Sequence, residues 1–157
     1  MRILGIDPGT RLCGYGVIET DGHESRAVAF GVLQSRDSSL PARLSVIYEG
    51  LVKVIEELEP DLAAVEGAFF GKDVRAALKI GEGRGVAVLA AASRGVEVVE
   101  YSPAEVKKSV VGTGRAHKSQ VQQMVRMLLR LPDEPLPEDA ADALAIAICH
   151  SHRMGSG

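Results

Sequence analysis

The chain has 157 residues, 46% of them hydrophobic and 25% charged, which fits one globular domain with a real core and excludes disordered, collagen-like and coiled-coil chains. No apolar run reaches the roughly 18 residues of a membrane span, and Asp7 interrupts the first apolar run before the about 7–15 residues of a secretory signal, so the expected location is cytoplasmic, with no membrane partner. The formal net charge of -3 argues against a nucleic-acid binder on its face, but the charges are unevenly spread.

Residues 2–7 read as a short buried strand that ends on a carboxylate, and Pro8-Gly9-Thr10 is turn chemistry. Residues 12–19 and about 24–34 read as two more strands, joined by a hairpin at Asp21-Gly22. Tight turns between three consecutive strands imply an antiparallel start to the sheet. Ser39-Leu40-Pro41 opens a helix with Pro in its first turn. Leu40, Leu44, Ile47, Leu51, Val54 and Leu58 recur there at helical spacing, and Pro60 stops it. Residues 61–66 give a second short strand that ends on a carboxylate. A small-residue helix follows over about 73–94, with Val74, Ala77, Leu78, Gly81, Gly85, Val88 and Ala92 along one side. Gly81, Gly83 and Gly85 each weaken it by up to about 1 kcal/mol, so close approach by another helix is expected to compensate.

Residues 96–101 form a fifth strand. Ser102-Pro103-Ala104-Glu105 then has the capping-box pattern of a helix start, and Gly112-Thr113-Gly114 breaks that helix. A helix over about 118–130, a Pro-rich linker and a last helix over about 138–150 follow. The expected fold class is α/β: a mixed five-stranded sheet, three antiparallel strands then parallel ones, flanked by helices. Residues 1–154 are taken as a single domain, with Gly155-Ser156-Gly157 as a tail outside it. Cys13 and Cys149 have neither metal-site spacing nor a disulfide framework, which agrees with a reducing compartment.

Charge is segregated along the chain. Residues 106–132 contain no Asp or Glu but hold Lys107, Lys108, Arg115, Lys118, Arg126 and Arg130. Acids resume at Asp133, Glu134, Glu138, Asp139 and Asp142. This points to a basic surface beside an acidic pocket. Asp7 and Glu66 each end an apolar strand, and ligands of open α/β sheets collect at the carboxyl ends of strands. Asp139 and Asp142 are three apart and share one helix face, ahead of the apolar run Ala143-Leu144-Ala145-Ile146-Ala147-Ile148 that must pack on the sheet. Taken singly, Asp7 reads as a turn residue and the two helical aspartates as dipole complements worth about 0.3–1 kcal/mol each. Taken together, the four carboxylates need a cation or shared protons. Oxygen ligands without His or Cys select Mg²⁺ or Mn²⁺, and two such ions roughly 3.5–4 Å apart suit in-line phosphoryl displacement.

These residues resemble a known family. Ile3-Leu4-Gly5-Ile6-Asp7-Pro8-Gly9 followed by Gly14-Tyr15-Gly16-Val17-Ile18 is similar to the start of the bacterial RuvC Holliday-junction resolvases. So are Val65-Glu66, Lys79-Ile80-Gly81-Glu82-Gly83-Arg84-Gly85, Val106-Lys107 through Val110-Val111-Gly112, Lys118-Ser119-Gln120-Val121-Gln122, and Asp139-Ala140-Ala141-Asp142-Ala143-Leu144. The blocks run in order from residue 1 to about 150. The resemblance implies an RNase H-like fold, a homodimer, and paired symmetric nicking of four-way DNA junctions in recombination and repair. It implies that Asp7, Glu66, Asp139 and Asp142 are the catalytic, Mg²⁺-binding tetrad, with two ions per subunit and Mn²⁺ as a substitute. It also implies a base-stacking role for Phe69, DNA contacts for Lys107 and Lys118, and a branch-migration partner of the RuvA and RuvB type. Gly67 and Gly83 depart from the family pattern.

Without the four tetrad acids the chain has 17 acids against 18 Lys and Arg, so an acidic protein can still bind DNA if Lys107, Arg115 and Lys118 face phosphates. Asp7 is the expected bridging ligand. A two-fold junction needs two active sites, which a symmetric dimer supplies, and the helix around Gly81 to Ala92 is one candidate interface. Three rival readings fit parts of the sequence: a related nuclease acting on RNA, a non-catalytic junction-binding module, and a nucleotide binder. The last is the weakest. Gly112 to Ser119 has His117 where a phosphate loop needs Gly before its Lys, and Asp7-Pro8-Gly9-Thr10, which resembles the phosphate loop of actin-like ATPases, has no second copy.

Overall fold

The first strand, β1 (Arg2–Asp7), buries Ile3, Leu4 and Ile6 completely, on both of its faces. Such a strand belongs at the centre of a sheet covered by helices on both sides. A computed structural model, which describes residues 1–67 and 73–156, places it there. The elements after β1 are β2 (Leu12–Thr20), β3 (Ser25–Gln34), α1 (Leu40–Leu58), β4 (Leu62–Glu66), α2 (Val74–Ser93), β5 (Glu97–Tyr101), α3 (Pro103–Val111), α4 (Lys118–Leu128) and α5 (Glu138–Gly155). The sheet order is β3-β2-β1-β4-β5. β1, β2 and β3 pair antiparallel, and β4 and β5 add in parallel. This is the mixed α/β sheet that the strand and turn pattern predicts.

The hairpin falls at the expected turn. Asp21 Oδ1 accepts from the backbone N–H of His23 at 2.8 Å and of Glu24 at 2.9 Å, and Gly22 takes φ 95°, which costs glycine little. α1 is capped by Ser39, whose side chain accepts from Ala42 N–H. It buries Ile47, Leu51 and Val54 from the predicted stripe. The capping box of Ser102 and Glu105 is formed at the start of α3. α4 ends earlier than the sequence pattern indicates, because Arg130 turns to φ 50°. α5 continues past His150 to Gly155.

Two cores sandwich the sheet. On one side Ile3, Ile18, Leu62 and Ala64 pack with Val121 and Val125 of α4 and with Leu144 and Ile148 of α5. On the other side Leu4, Ile6, Val17, Ala63 and Val65 pack with Ile47 and Leu51 of α1 and with Ala87 and Ala91 of α2.

The apolar side read for α2 turns outward. Val74 is 70% exposed, Leu78 is 62% exposed, and no described residue approaches the open faces of Gly81 and Gly85. The sheet instead receives the smallest side of the helix: Gly83, Ala87, Ala90 and Ala91 are buried. Small residues let the helix lie close to the sheet, but the close approach expected from another helix comes from the Gly9 turn, at Gly83 and not at Gly81 or Gly85.

Candidate active site

Side chains alternate along a strand, so residues two apart share a face. The α5 side of β1 carries Ile3, Gly5 and Asp7, and the α5 side of β4 carries Leu62, Ala64 and Glu66. Ile6 pairs with Val65 in the parallel register. Asp7 and Glu66 come next, at the carboxyl ends of neighbouring strands and on one face.

α5 lies directly across that face. A Cβ on Gly5 would run into the carbonyl of Ala143, and one on Gly14, the β2 partner of Asp7, into the backbone of Asp139. The two glycines therefore let the helix backbone rest on the strands, which lowers Asp139 and Asp142 onto Asp7. Carboxylate oxygens of Asp7, Asp139 and Asp142 lie within 4.8 Å of one another. Glu66 stands outside this trio but lines the same cavity of about 360 Å³, together with Lys107 and Lys118.

Burial and mutual repulsion both act on the cluster. Burial is the main cause that pushes the Asp7 carboxyl up to about 8, and the charges of Asp142, Glu66 and Asp139 add to it. Burial also raises the carboxyls of Glu66 and Asp142 above the usual range. At neutral pH the cation-free cluster thus keeps a proton. Lys118, the first residue of α4, partly offsets the charge, with Nζ 3.2 Å from Asp142 Oδ2 and 2.5 Å from Glu138 Oε1. These pairs raise the Lys118 ammonium, Glu138 most of all. Three convergent carboxylates with no His or Cys among them fit a hard divalent cation, which can take the place of the proton.

The structure sorts the predicted site residues. Asp7, Glu66, Asp139, Asp142, Lys107 and Lys118 line one cavity. Arg115 is exposed on the α3–α4 connection and does not line it. Phe69 lies outside the described residues. Of the remaining basic window, Arg126 donates to the carbonyls of Pro132 and Glu134, and Arg130 pairs with Glu24; both are engaged within the fold. Sequence reasoning missed Glu138 as the partner of Lys118. Its signal is the one-turn spacing to Asp142.

A larger concavity, about 850 Å³, opens around Met1 and Arg130 at the other end of β1. Its acids are already matched: Glu19 by Arg2 and Arg26, Glu24 by Arg130, and Asp21 by the hairpin N–H groups. Of the two concavities, the smaller one holds the carboxylates that are not matched in this way.

The family model described as Crossover junction endodeoxyribonuclease RuvC matches residues 3–150. The chain belongs to the RuvC family. The RuvC of Dehalococcoides mccartyi is 54% identical over 98% of this chain and 94% of its own length, and that of Ruminiclostridium cellulolyticum is 50% identical over 99% and 96%. The structure of T. thermophilus RuvC in complex with Holliday junction substrate superimposes with a TM-score of 0.92 at 35% identity, covering 100% of this chain and 96% of that one. The fold is RNase H-like, as the resemblance implies. Gly67 and Gly83, the two positions expected to depart from the RuvC pattern, have different surroundings. A side chain on Gly67 would meet only ordinary contacts at 3.6 Å and beyond, whereas a Cβ on Gly83 would come within 3.0 Å of the Gly9 backbone. Gly83 thus lets α2 press against the turn that follows Asp7.

Proposed function

We propose that this RuvC family member is a structure-specific endonuclease that resolves four-way DNA junctions by paired symmetric nicking, in homologous recombination and DNA repair. The observation that carries the reading is the convergence of Asp7, Asp139 and Asp142 beside Glu66 and Lys118, in a family whose relatives are named crossover junction endodeoxyribonucleases.

Asp7, Glu66, Asp139 and Asp142 are the catalytic acids in this reading and hold two Mg²⁺ ions, with Mn²⁺ as a substitute. When bound, such ions lower the pKa of the attacking water and neutralise charge on the phosphate. Asp7, whose carboxyl meets the charges of Asp142, Glu66 and Asp139, would be the ligand that the two ions share. Water attacks phosphorus, the bond from phosphorus to the departing sugar oxygen breaks, and that oxygen takes up a proton. The Lys118 ammonium stabilises negative charge on the phosphate as it develops. Lys107 and Arg115 hold the sugar-phosphate backbone without reading bases, and Phe69 stacks on an opened base.

The protein acts as a homodimer in this reading, because paired nicks require two sites related by two-fold symmetry. The outward stripe of Val74, Leu78 and Leu89 on α2 supports that interface. A branch-migration complex of the RuvA and RuvB type delivers the junction. The setting is the cytoplasm, consistent with two unpaired cysteines and with no helix among the described residues long and apolar enough to cross a membrane. Competition among a four-way DNA junction, an RNA junction of the same sequence and ATP tests the substrate class. Preference for the DNA junction is expected, and preference for RNA or ATP would overturn the reading.

A further inference from the structure

Lys118 Nζ is shared by two carboxylates of different standing. Asp142, 3.2 Å away, lines the cavity, whereas Glu138, 2.5 Å away, does not. The two acids are one turn apart on α5, so both meet the ammonium from the same helix face. Glu138 is also outside the convergent trio of carboxylates, and its side chain is 58% exposed against 25% for Asp142. A solvated acid that touches no other basic group among the described ion pairs is thus spent on holding this one lysine. The ammonium is engaged before any phosphate arrives.

We propose that Glu138 is a positioning residue that competes with the substrate phosphate for Lys118. The inference rests on the reading above that a DNA phosphate enters this cavity. An exposed pair of this kind is weak, so a phosphate seated against the cavity displaces Glu138, while one that only brushes the rim does not gain enough to do so. The competition lowers affinity for any backbone whose phosphate must take Lys118 from Glu138. Glu138 acts through Lys118 and touches no reacting atom, so it is a positioning residue.

A double-mutant cycle on binding tests this. Junction affinity is measured by fluorescence anisotropy at low salt, all in the Asp7→Asn background to prevent cleavage, with Glu138→Gln, Lys118→Ala and both together. Glu138→Gln is expected to tighten junction binding roughly two- to fivefold, the range of an exposed ion pair. It is expected to change nothing when Lys118 is Ala, and Glu138→Asp is expected to keep the parent affinity. Equal tightening with and without Lys118 would overturn the proposal, since Glu138 would then act only as a repulsive surface charge. An unchanged affinity in the presence of Lys118 would overturn it as well. Those two outcomes leave the function reading intact, because the parent binds the junction in both. Failure of the parent to bind a junction at all would remove the function reading and this inference with it.

Discussion

A Cβ on Gly5 would overlap the carbonyl oxygen of Ala143. Together with the matching contact of Gly14 on Asp139, that relationship sets the distance between the strands and the helix that carries Asp139 and Asp142. Gly5→Ala should force α5 off the sheet. Overpacking of this kind costs about 1–3 kcal/mol, or roughly 2–9 °C in melting temperature for a domain of this size. It should also lower cleavage by more than the stability loss explains, because two of the acids move with the helix. An unchanged melting temperature would show that the helix backbone does not rest on Gly5.

Asp7 sits where burial and three other carboxylates act together. Asp7→Asn should abolish junction cleavage and keep or tighten junction binding, since it removes a metal ligand and a repulsive charge at once. Activity equal to the parent's would remove Asp7 from the mechanism.

The same residue predicts a pH dependence. Its folded-state pKa, about 8, lies above the ordinary value of 3.8. Between those values the folded chain holds a proton that the unfolded chain has released, so cation-free stability falls as pH rises from about 4 to about 8 and levels off above. Asp7→Asn should flatten this fall and melt above the parent at pH 8 in chelator, with the difference shrinking toward pH 4. Mg²⁺ competes with that proton, so it should raise the parent's melting temperature more at pH 8 than at pH 5. A parent whose stability relative to Asp7→Asn rises from pH 5 to pH 8 in chelator would contradict the sign, and this comparison cancels the opposite trend of His150, whose imidazole is held below its usual value by burial.

Lys118 is expected to contribute one phosphate contact. Lys118→Ala should weaken turnover or binding and reduce the slope of log affinity against log salt by about 0.9. A slope equal to the parent's would make Lys118 a bystander to DNA.

The outward face of α2 makes a separate prediction. Leu78→Glu places a charge in the middle of the exposed stripe and disturbs no buried residue. It should shift the protein from dimer to monomer in sedimentation, with an unchanged melting profile of the isolated subunit, and it should uncouple the paired nicks. A dimer that survives this substitution would place the interface elsewhere.

The layering was readable from the sequence because its signals are local. The strand ends at Asp7 and Glu66, the hairpin at Asp21-Gly22 and the caps at Ser39 and Ser102 all occur where residue chemistry puts them. The acids of α5 were legible through their three-residue spacing. The orientation of α2 was not, because a helix rich in Gly and Ala offers no single dominant apolar face, and the face that fits is chosen by close approach to the sheet at Ala87, Ala90 and Ala91 and to the Gly9 backbone at Gly83. The divided fate of the basic window was also hidden. Arg126 and Arg130 are drawn away by the carbonyls of Pro132 and Glu134 and by Glu24, partners that only the folded chain brings near. The convergence on Asp7 depends on two glycines whose value lies in the missing side chain, a feature that strand propensity alone penalises.

Cutting of four-way junctions by the carboxylate cavity is the core of the proposed function. It is tested most directly by incubating the protein with a mobile synthetic DNA junction, with Mg²⁺ and with chelator, beside a linear duplex of the same sequence, and mapping every nick. Paired nicks are expected at symmetric positions on opposing strands, confined to the junction and abolished by chelator. Cleavage of the linear duplex at the same rate, or tight junction binding with no nicks in Mg²⁺, would contradict it.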